Sequence, residues 1–363
     1  MLKKVAVLGG GNGSHTMAAD LALKGLEVRI CEAPEFKDSF ATTLKRQVIS
    51  LVEAGGGERT AKLALATTDF EKALKGVDYI MVPIPATGHE RFFRAIMPYL
   101  EDGQTIVAWP GNYASLYFAR MMGEEGLKKD ITLAEGHTLP WGCRGEGGRI
   151  RIFVDAWKLL LAALPSKDTA RVVKELKDFY PVVAGSSVLE TSLNNLNPIV
   201  HPVGTILNAG AIDNRKEGFH LYRDGTTKSI AMAIKTVFEE VSRVGEAVGV
   251  RMLAYPEETF YLKSTIMSHY FKAPKDMEGT VANISGPSSM TSRYITEDIP
   301  YGLVPVAGLA CSYGVDIPII DATICLASTI NGADYYQSGR SLGELGIAGL
   351  NREELDKILK QGF

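Results

Sequence analysis

Residues 5–32 read VAVLGGGNGSHTMAADLALKGLEVRICE, and the order of physical properties along this stretch decides the fold. Val5, Ala6, Val7 and Leu8 form a continuous apolar run, the composition of a parallel strand buried on both faces. Glycines follow at once. Gly9 suits a tight turn and Gly11 lets a pyrophosphate approach the main chain. Asn12 and Gly13 continue the loop, and Ser14 stands where a third glycine would permit close helix packing. Met17 to Leu26 is predicted as the next helix, ended by Gly25, and its unpaired N–H groups and dipole suit a phosphate. Strand character resumes over Glu27 to Ile30. Glu32 lies 21 residues beyond Gly11, where a carboxylate can take both ribose hydroxyls of a dinucleotide. A glycine turn alone can serve packing, but strand, glycines, helix, strand and acid in register predict a dinucleotide site.

The chain has 363 residues and 46% hydrophobic content, more than one core usually absorbs. The pattern predicts an α/β, Rossmann-type doubly wound parallel sheet over 1–185, followed by an all-helical domain over 186–363. In the first domain, Phe36 to Glu53 has apolar residues at helical spacing and is closed by Gly55 to Gly57. Strands are predicted at Leu63 to Thr67, Tyr79 to Val82, Thr105 to Ala108, Ile131 to Ala134, Arg149 to Val154 and Val182 to Ala184. Helices are predicted at Phe70 to Lys75, Phe92 to Leu100 and Ser166 to Phe179. Ligands of open parallel sheets sit beyond the carboxyl ends of the strands, so Pro83 to Gly88 and Pro110 to Asn112 are expected to wall the cofactor crevice. The second domain reads as helices at Pro198 to Ile212, Thr227 to Val248, Pro256 to Ser268, Gly302 to Tyr313, Pro318 to Thr329 and Arg352 to Lys360. In the longest, Ile230, Ile234, Val237, Phe238, Val241, Val244 and Val248 mark an apolar face, and Lys235, Glu239, Glu240 and Arg243 the opposite one.

Lysine and arginine total 39 against 42 acids, a net charge of −3 without a basic run, which argues against nucleic acid and membrane surfaces as partners. No charged-then-apolar leader and no long apolar run occurs, so a cytoplasmic protein is expected. Cys31, Cys143, Cys311 and Cys325 lack paired spacing. No metal site or disulfide framework is expected, and the thiols are assigned to the core. A homodimer is compatible with the pattern, since buried and interface helices read alike.

Two stretches of the helical half are chemically out of character. In Leu193-Asn-Asn-Leu-Asn-Pro-Ile-Val-His-Pro-Val-Gly, His201 sits between asparagines and prolines with few local partners. In Gly286-Pro-Ser-Ser-Met-Thr-Ser-Arg-Tyr-Ile-Thr-Glu-Asp-Ile-Pro, Arg293, Glu297 and Asp298 crowd a polar loop ahead of a helix. Ordinary roles exist for each: a structural histidine, an Arg293–Glu297 ion pair, and Asp298 as a helix cap before Pro300.

The segments VAVLGGGNGSHT, NNLNPIVHPVGTILNAG and SRYITEDIPYGL together resemble the opine dehydrogenases of the octopine dehydrogenase type, over nearly the whole chain. The asparagine-flanked His-Pro, followed about 90 residues later by the arginine and Thr-Glu-Asp, is the specific part. Members of that family reductively condense an amino acid amine with a 2-oxo acid such as pyruvate, using NAD(P)H. The resemblance implies that His201 is the catalytic acid/base, Asp298 its carboxylate partner, and Arg293 a ligand for a substrate carboxylate. The chemistry asks for such groups, because imine formation sheds water and both substrate halves carry carboxylates. NADH is expected over NADPH, since Glu32 repels a 2′-phosphate and Ala33 and Pro34 offer it no arginine.

The same two-domain plan serves ketopantoate reductases, glycerol-3-phosphate dehydrogenases and 6-phosphogluconate dehydrogenases, which use a lysine for proton transfer. Lys228 and Lys263 are the candidates for that reading, and an NAD-occupied sensor without turnover is the reading outside enzymes. Met232, Tyr261, His269, Tyr270 and Phe271 are candidates for an amino acid pocket.

Overall fold

The structure is a computed structural model that describes residues 3–363 except 147, 216, 217 and 274. Contacts divide it into two compact units, Met1–Val188 with Ile358–Phe363, and Leu189–Lys357. The last six residues thus group with the first unit, not with the helical one.

The first unit contains strands β1 (Lys4–Leu8), β2 (Glu27–Cys31), β3 (Val48–Val52), β4 (Glu58–Lys62), β5 (Leu65–Thr67), β6 (Tyr79–Val82), β7 (Thr105–Ala108), β8 (Thr132–Gly136), β9 (Trp141–Glu146), β10 (Arg149–Ala156), β11 (Leu159–Leu164) and β12 (Val182–Ala184). The main sheet has the order β12-β11-β8-β7-β6-β1-β2-β5. Its strands from β5 across to β8 are all parallel. β11 then pairs antiparallel with β8, and β12 runs parallel to β11. Chain order reverses between β1 and β6, which makes a crevice at their carboxyl ends, and β1, β6 and β7 are buried on both faces except Lys4.

Several expectations are corrected. The first helix is Asn12–Leu23, not Met17 to Leu26, so Asn12, Gly13 and Ser14 belong to its first turn. The helix after Glu32 stops at Arg46, where Gln47 takes a left-handed φ of 55°. Val48–Val52 then becomes β3, and the glycine triplet turns it back into the antiparallel β4. β3 runs parallel to β10, and β10 pairs antiparallel with β9, forming a second sheet that the sequence reading missed.

Among its described residues the second unit carries helices, connecting loops and one two-residue strand, Phe271–Lys272. Its longest helix, Lys228–Val248, is held by Thr227 at its start and left-handed Gly249 at its end. The predicted helix from Pro198 divides into Asn197–Ile206 and Ala209–Arg215. Pro256 to Ser268 is not an α-helix but two short 3-10 segments, Glu257–Tyr261 and Thr265–His269. Glu240 is buried rather than on the solvent face: its carboxylate accepts from the N–H groups of Ile319 and Ile320 at 3.0 and 2.8 Å, at the start of helix Pro318–Asn331. Ile230 and Phe238 are only partly buried. Cys31 and Cys143 lie in the core, whereas Cys311 and Cys325 are exposed thiols. Among the described residues no helix is long and apolar enough to cross a membrane.

Candidate active site

His201 lies on helix Asn197–Ile206, whose start is set by its asparagines. Asn195 accepts from the Asn197 N–H at 3.1 Å. Asn194 donates to the carbonyls of Glu190 and Arg251 and accepts from Leu253 N–H, which pins the approach to this helix. A π turn, Ile299–Leu303, follows Asp298 and packs against the same helix. Gly302 permits that approach, because a Cβ there would lie 2.3 Å from Pro198 Cγ.

The packing joins two residues 97 positions apart. His201 Nδ1–H donates to Asp298 Oδ2 at 2.8 Å, and both side chains are buried. A carboxylate only accepts, so the proton of neutral imidazole is fixed on Nδ1 and Nε2 is left as the basic nitrogen. Tyr222 Oη lies 3.0 Å from that Nε2. The ring of Tyr294 stacks on the imidazole, with centroids 3.8 Å apart and planes at 4°. Asp298 thus turns its side chain to His201, and makes no side-chain cap on the turn that follows. Arg293 begins the short helix Arg293–Thr296, half-exposed, with Nη1 at 3.6 Å from the buried Glu297. Its guanidinium therefore combines a loose ion pair with access from solvent.

The glycine loop fits the phosphates of a dinucleotide. Gly9 turns with φ +91°, and a Cβ there would strike Ile84 and Ser14. Ser14 Oγ donates to Leu8 O at 2.8 Å, so the serine in the third-glycine position ties the helix to β1. At Gly13 a Cβ would sit 3.1 Å from the carbonyl of Pro83, whereas at Gly11 it would meet nothing within 4 Å. Gly11 therefore faces open space beside the first-turn N–H groups, the cradle that a phosphate needs. Pro83 follows β6, and Pro110 and Asn112 follow β7, at the carboxyl ends of neighbouring strands. Asn112 is buried and left-handed, with φ 46°. Glu32 accepts from Gly10 N–H at 2.6 Å and Ala33 N–H at 2.7 Å. Burial raises its pKa, opposed by those N–H groups and by Arg91.

A family described as NAD/NADP octopine/nopaline dehydrogenase, alpha-helical domain, matches residues 184–331. An opine dehydrogenase of Arthrobacter sp. (strain 1C) is 31% identical over 359 residues, 96% of this chain and 96% of that protein. The chain belongs to the opine dehydrogenase family. It is an NAD(P)-dependent oxidoreductase, and the family's reaction is reductive condensation of an amino acid amine with a 2-oxo acid. The octopine dehydrogenase of Mizuhopecten yessoensis is 27% identical over 381 residues, 95% of this chain and 94% of that one. A solved octopine dehydrogenase with NADH and pyruvate matches with a TM-score of 0.72 at 23% identity, covering 99% of this chain and 98% of that one.

For an opine dehydrogenase, the site contains more than the sequence marked. Tyr222 and Tyr294 touch His201 and were not singled out. Arg91 also went unnoticed: it pairs with Glu35 at 3.3 Å and lies 4.6 Å over the Phe36 ring, just beyond Glu32. Buried Glu135 at the end of β8 accepts from Ser115 N–H at 2.9 Å. The rival lysines take other work. Lys263 Nζ donates to the carbonyls of Arg223 and Thr226, while Lys228 is exposed at a helix start. Of the pocket candidates, Met232 and Tyr261 are exposed, and Tyr270 and Phe271 are buried.

Proposed function

We propose that this enzyme condenses pyruvate with an amino acid, using NADH, and that His201 handles the protons with Asp298 as its partner. The observation that carries the reading is the buried 2.8 Å contact between His201 Nδ1 and Asp298. A carbinolamine must lose its hydroxyl as water before hydride can reach the carbon, and that hydroxyl leaves only if protonated. NADH supplies the hydride. His201, with its tautomer set by Asp298, donates the proton when charged and recovers it when neutral.

Arg293 holds a substrate carboxylate in this reading. Its fork suits two parallel hydrogen bonds, and half of its side chain is accessible. Glu32 binds the adenosine ribose, with Gly9, Gly11, Asn12, Gly13 and Ser14 around the phosphates and Pro83, Pro110 and Asn112 along the crevice. The choice of pyruvate is supported by the octopine dehydrogenase solved with NADH and pyruvate. Four free cysteines, two of them exposed, suit the reducing cytoplasm.

Steady-state oxidation of NADH with pyruvate and a panel of amino acids tests the proposal. NADH should be consumed only when both substrates are present. Consumption with pyruvate alone would mark a simple 2-oxo acid reductase, and none with any pair would sink the reading.

A further inference from the structure

Every edge of the His201 imidazole that can exchange a proton is taken by protein. Nδ1 is held by Asp298 at 2.8 Å, Nε2 lies 3.0 Å from Tyr222 Oη, and one ring face is covered by Tyr294. The Nε2 proton therefore has one immediate destination, the phenolic oxygen. We propose that Tyr222 is the group that touches the substrate, and that it relays the proton between His201 and the carbinolamine hydroxyl. This rests on the reading of His201 as the acid/base.

The surroundings of Tyr222 favour a fixed relay over a gate that swings away. Tyr222 is itself buried and sits in the π turn Leu221–Gly225. That turn is tied on several sides. Asp224 accepts from His220 N–H at 3.1 Å and from Arg223 Nε at 2.9 Å. Lys263 Nζ holds the carbonyls of Arg223 and Thr226 at 2.9 and 3.2 Å, and Asn208 Nδ2 reaches the carbonyl of Gly225 at 3.3 Å. Gly225 is required for the last contact, since a Cβ there would lie 2.7 Å from Asn208 Nδ2. Lys263, one of two lysines considered for a ketopantoate-type mechanism, instead anchors the turn that carries Tyr222.

A phenol is suited to this position because its oxygen both donates and accepts. In the condensing direction, imidazolium Nε2–H donates to Tyr222 Oη while the phenolic O–H donates to the carbinolamine hydroxyl. The C–O bond breaks, its electron pair leaves with water, and the nitrogen lone pair forms the iminium. His201 ends neutral, and Tyr222 is again a phenol, now carrying the proton that came from Nε2. One proton has moved, and no oxidant or further reactant is needed. In the oxidative direction the same two transfers run backwards, with water as the nucleophile.

The test is Tyr222→Phe, which removes one oxygen, followed by single-turnover NADH oxidation with pyruvate and the amino acid found to be active. Turnover should fall at least thirtyfold, with KM for both substrates within about threefold and NADH fluorescence quenching unchanged. In the native enzyme, the rate in H2O–D2O mixtures should curve downward against deuterium fraction, as two protons in flight require. Tyr222→Phe turnover within about threefold of native, or a linear dependence in the native enzyme, would overturn the relay. If Tyr222→Phe fails to bind NADH, the native deuterium dependence decides alone. His201→Ala separates the two levels of the argument. Near-normal turnover there removes the acid/base reading itself, whereas loss there with an active Tyr222→Phe removes only the relay.

Discussion

Arg293 combines half-exposure with a 3.6 Å distance to Glu297, a geometry in which the guanidinium can leave its partner for a substrate carboxylate. Losing a charge-assisted pair in a partly closed site costs on the order of 2–4 kcal/mol of transition-state stabilisation. Arg293→Ala should therefore lower kcat/KM for pyruvate or the amino acid by tens-fold or more, with NADH affinity unchanged. An equal loss in NADH binding would show a structural role instead. Glu32 makes the other prediction at this scale. Its carboxylate is aimed at the glycine loop by Gly10 and Ala33 N–H groups, and Arg91 beside it is already engaged by Glu35. A 2′-phosphate would meet a carboxylate first, so kcat/KM should be higher with NADH than with NADPH. A preference for NADPH would mean that Arg91 releases Glu35 and takes the phosphate.

Among the elements, buried Glu240 is the most exposed to test. It replaces a helix cap, satisfying two N–H groups at the start of Pro318–Asn331 from a different helix. Glu240→Ala should cost about 3 kcal/mol by leaving both N–H groups dry, and Glu240→Gln clearly less. A urea midpoint for Glu240→Ala that implies a loss under about 0.5 kcal/mol would contradict this role. Its misassignment to the solvent face shows what periodicity misses: a charge can sit on a buried face when another helix end lies opposite it. Strands β1, β6 and β7 were legible because short apolar runs of three or four residues followed by turn signals admit few other readings. β3 was not, because Phe40, Leu44, Val48 and Leu51 continue at helical spacing past the point where Gln47 breaks the helix. β11, Leu-Leu-Leu-Ala-Ala-Leu, has no period at all and is buried throughout. The site divides in the same way. The glycine loop is local and could be read directly, whereas the His201–Asp298 contact spans 97 positions and was reached only through family resemblance. Tyr222 carried one overlooked signal, an aromatic among His220, Arg223 and Asp224 in a loop between two helices.

For the whole molecule, acid sensitivity should be written in its buried histidines. His137, just after β8, accepts from Leu160 N–H through Nδ1 at 3.1 Å, and burial pushes its pKa down to about 3. Burial also lowers the pKa of His15. Between the free value of 6.5 and that lowered value, the unfolded chain binds a proton at this position and the folded protein does not. Stability must then fall as pH falls through this window, by up to about 1.4 kcal/mol per pH unit for each such histidine. Urea midpoints from pH 7 to pH 5 should decline, and less steeply in His137→Asn; equal slopes would assign the acid response elsewhere. The central catalytic proposal is that His201 and Asp298 act together. The most direct measurement is kcat for His201→Ala, Asp298→Asn and the double variant. Each single change should cost about 10²-fold or more, and the double variant should be little worse than the poorer single one, as for groups that work as a unit. Losses that multiply in the double variant, or near-normal turnover in His201→Ala, would contradict the account.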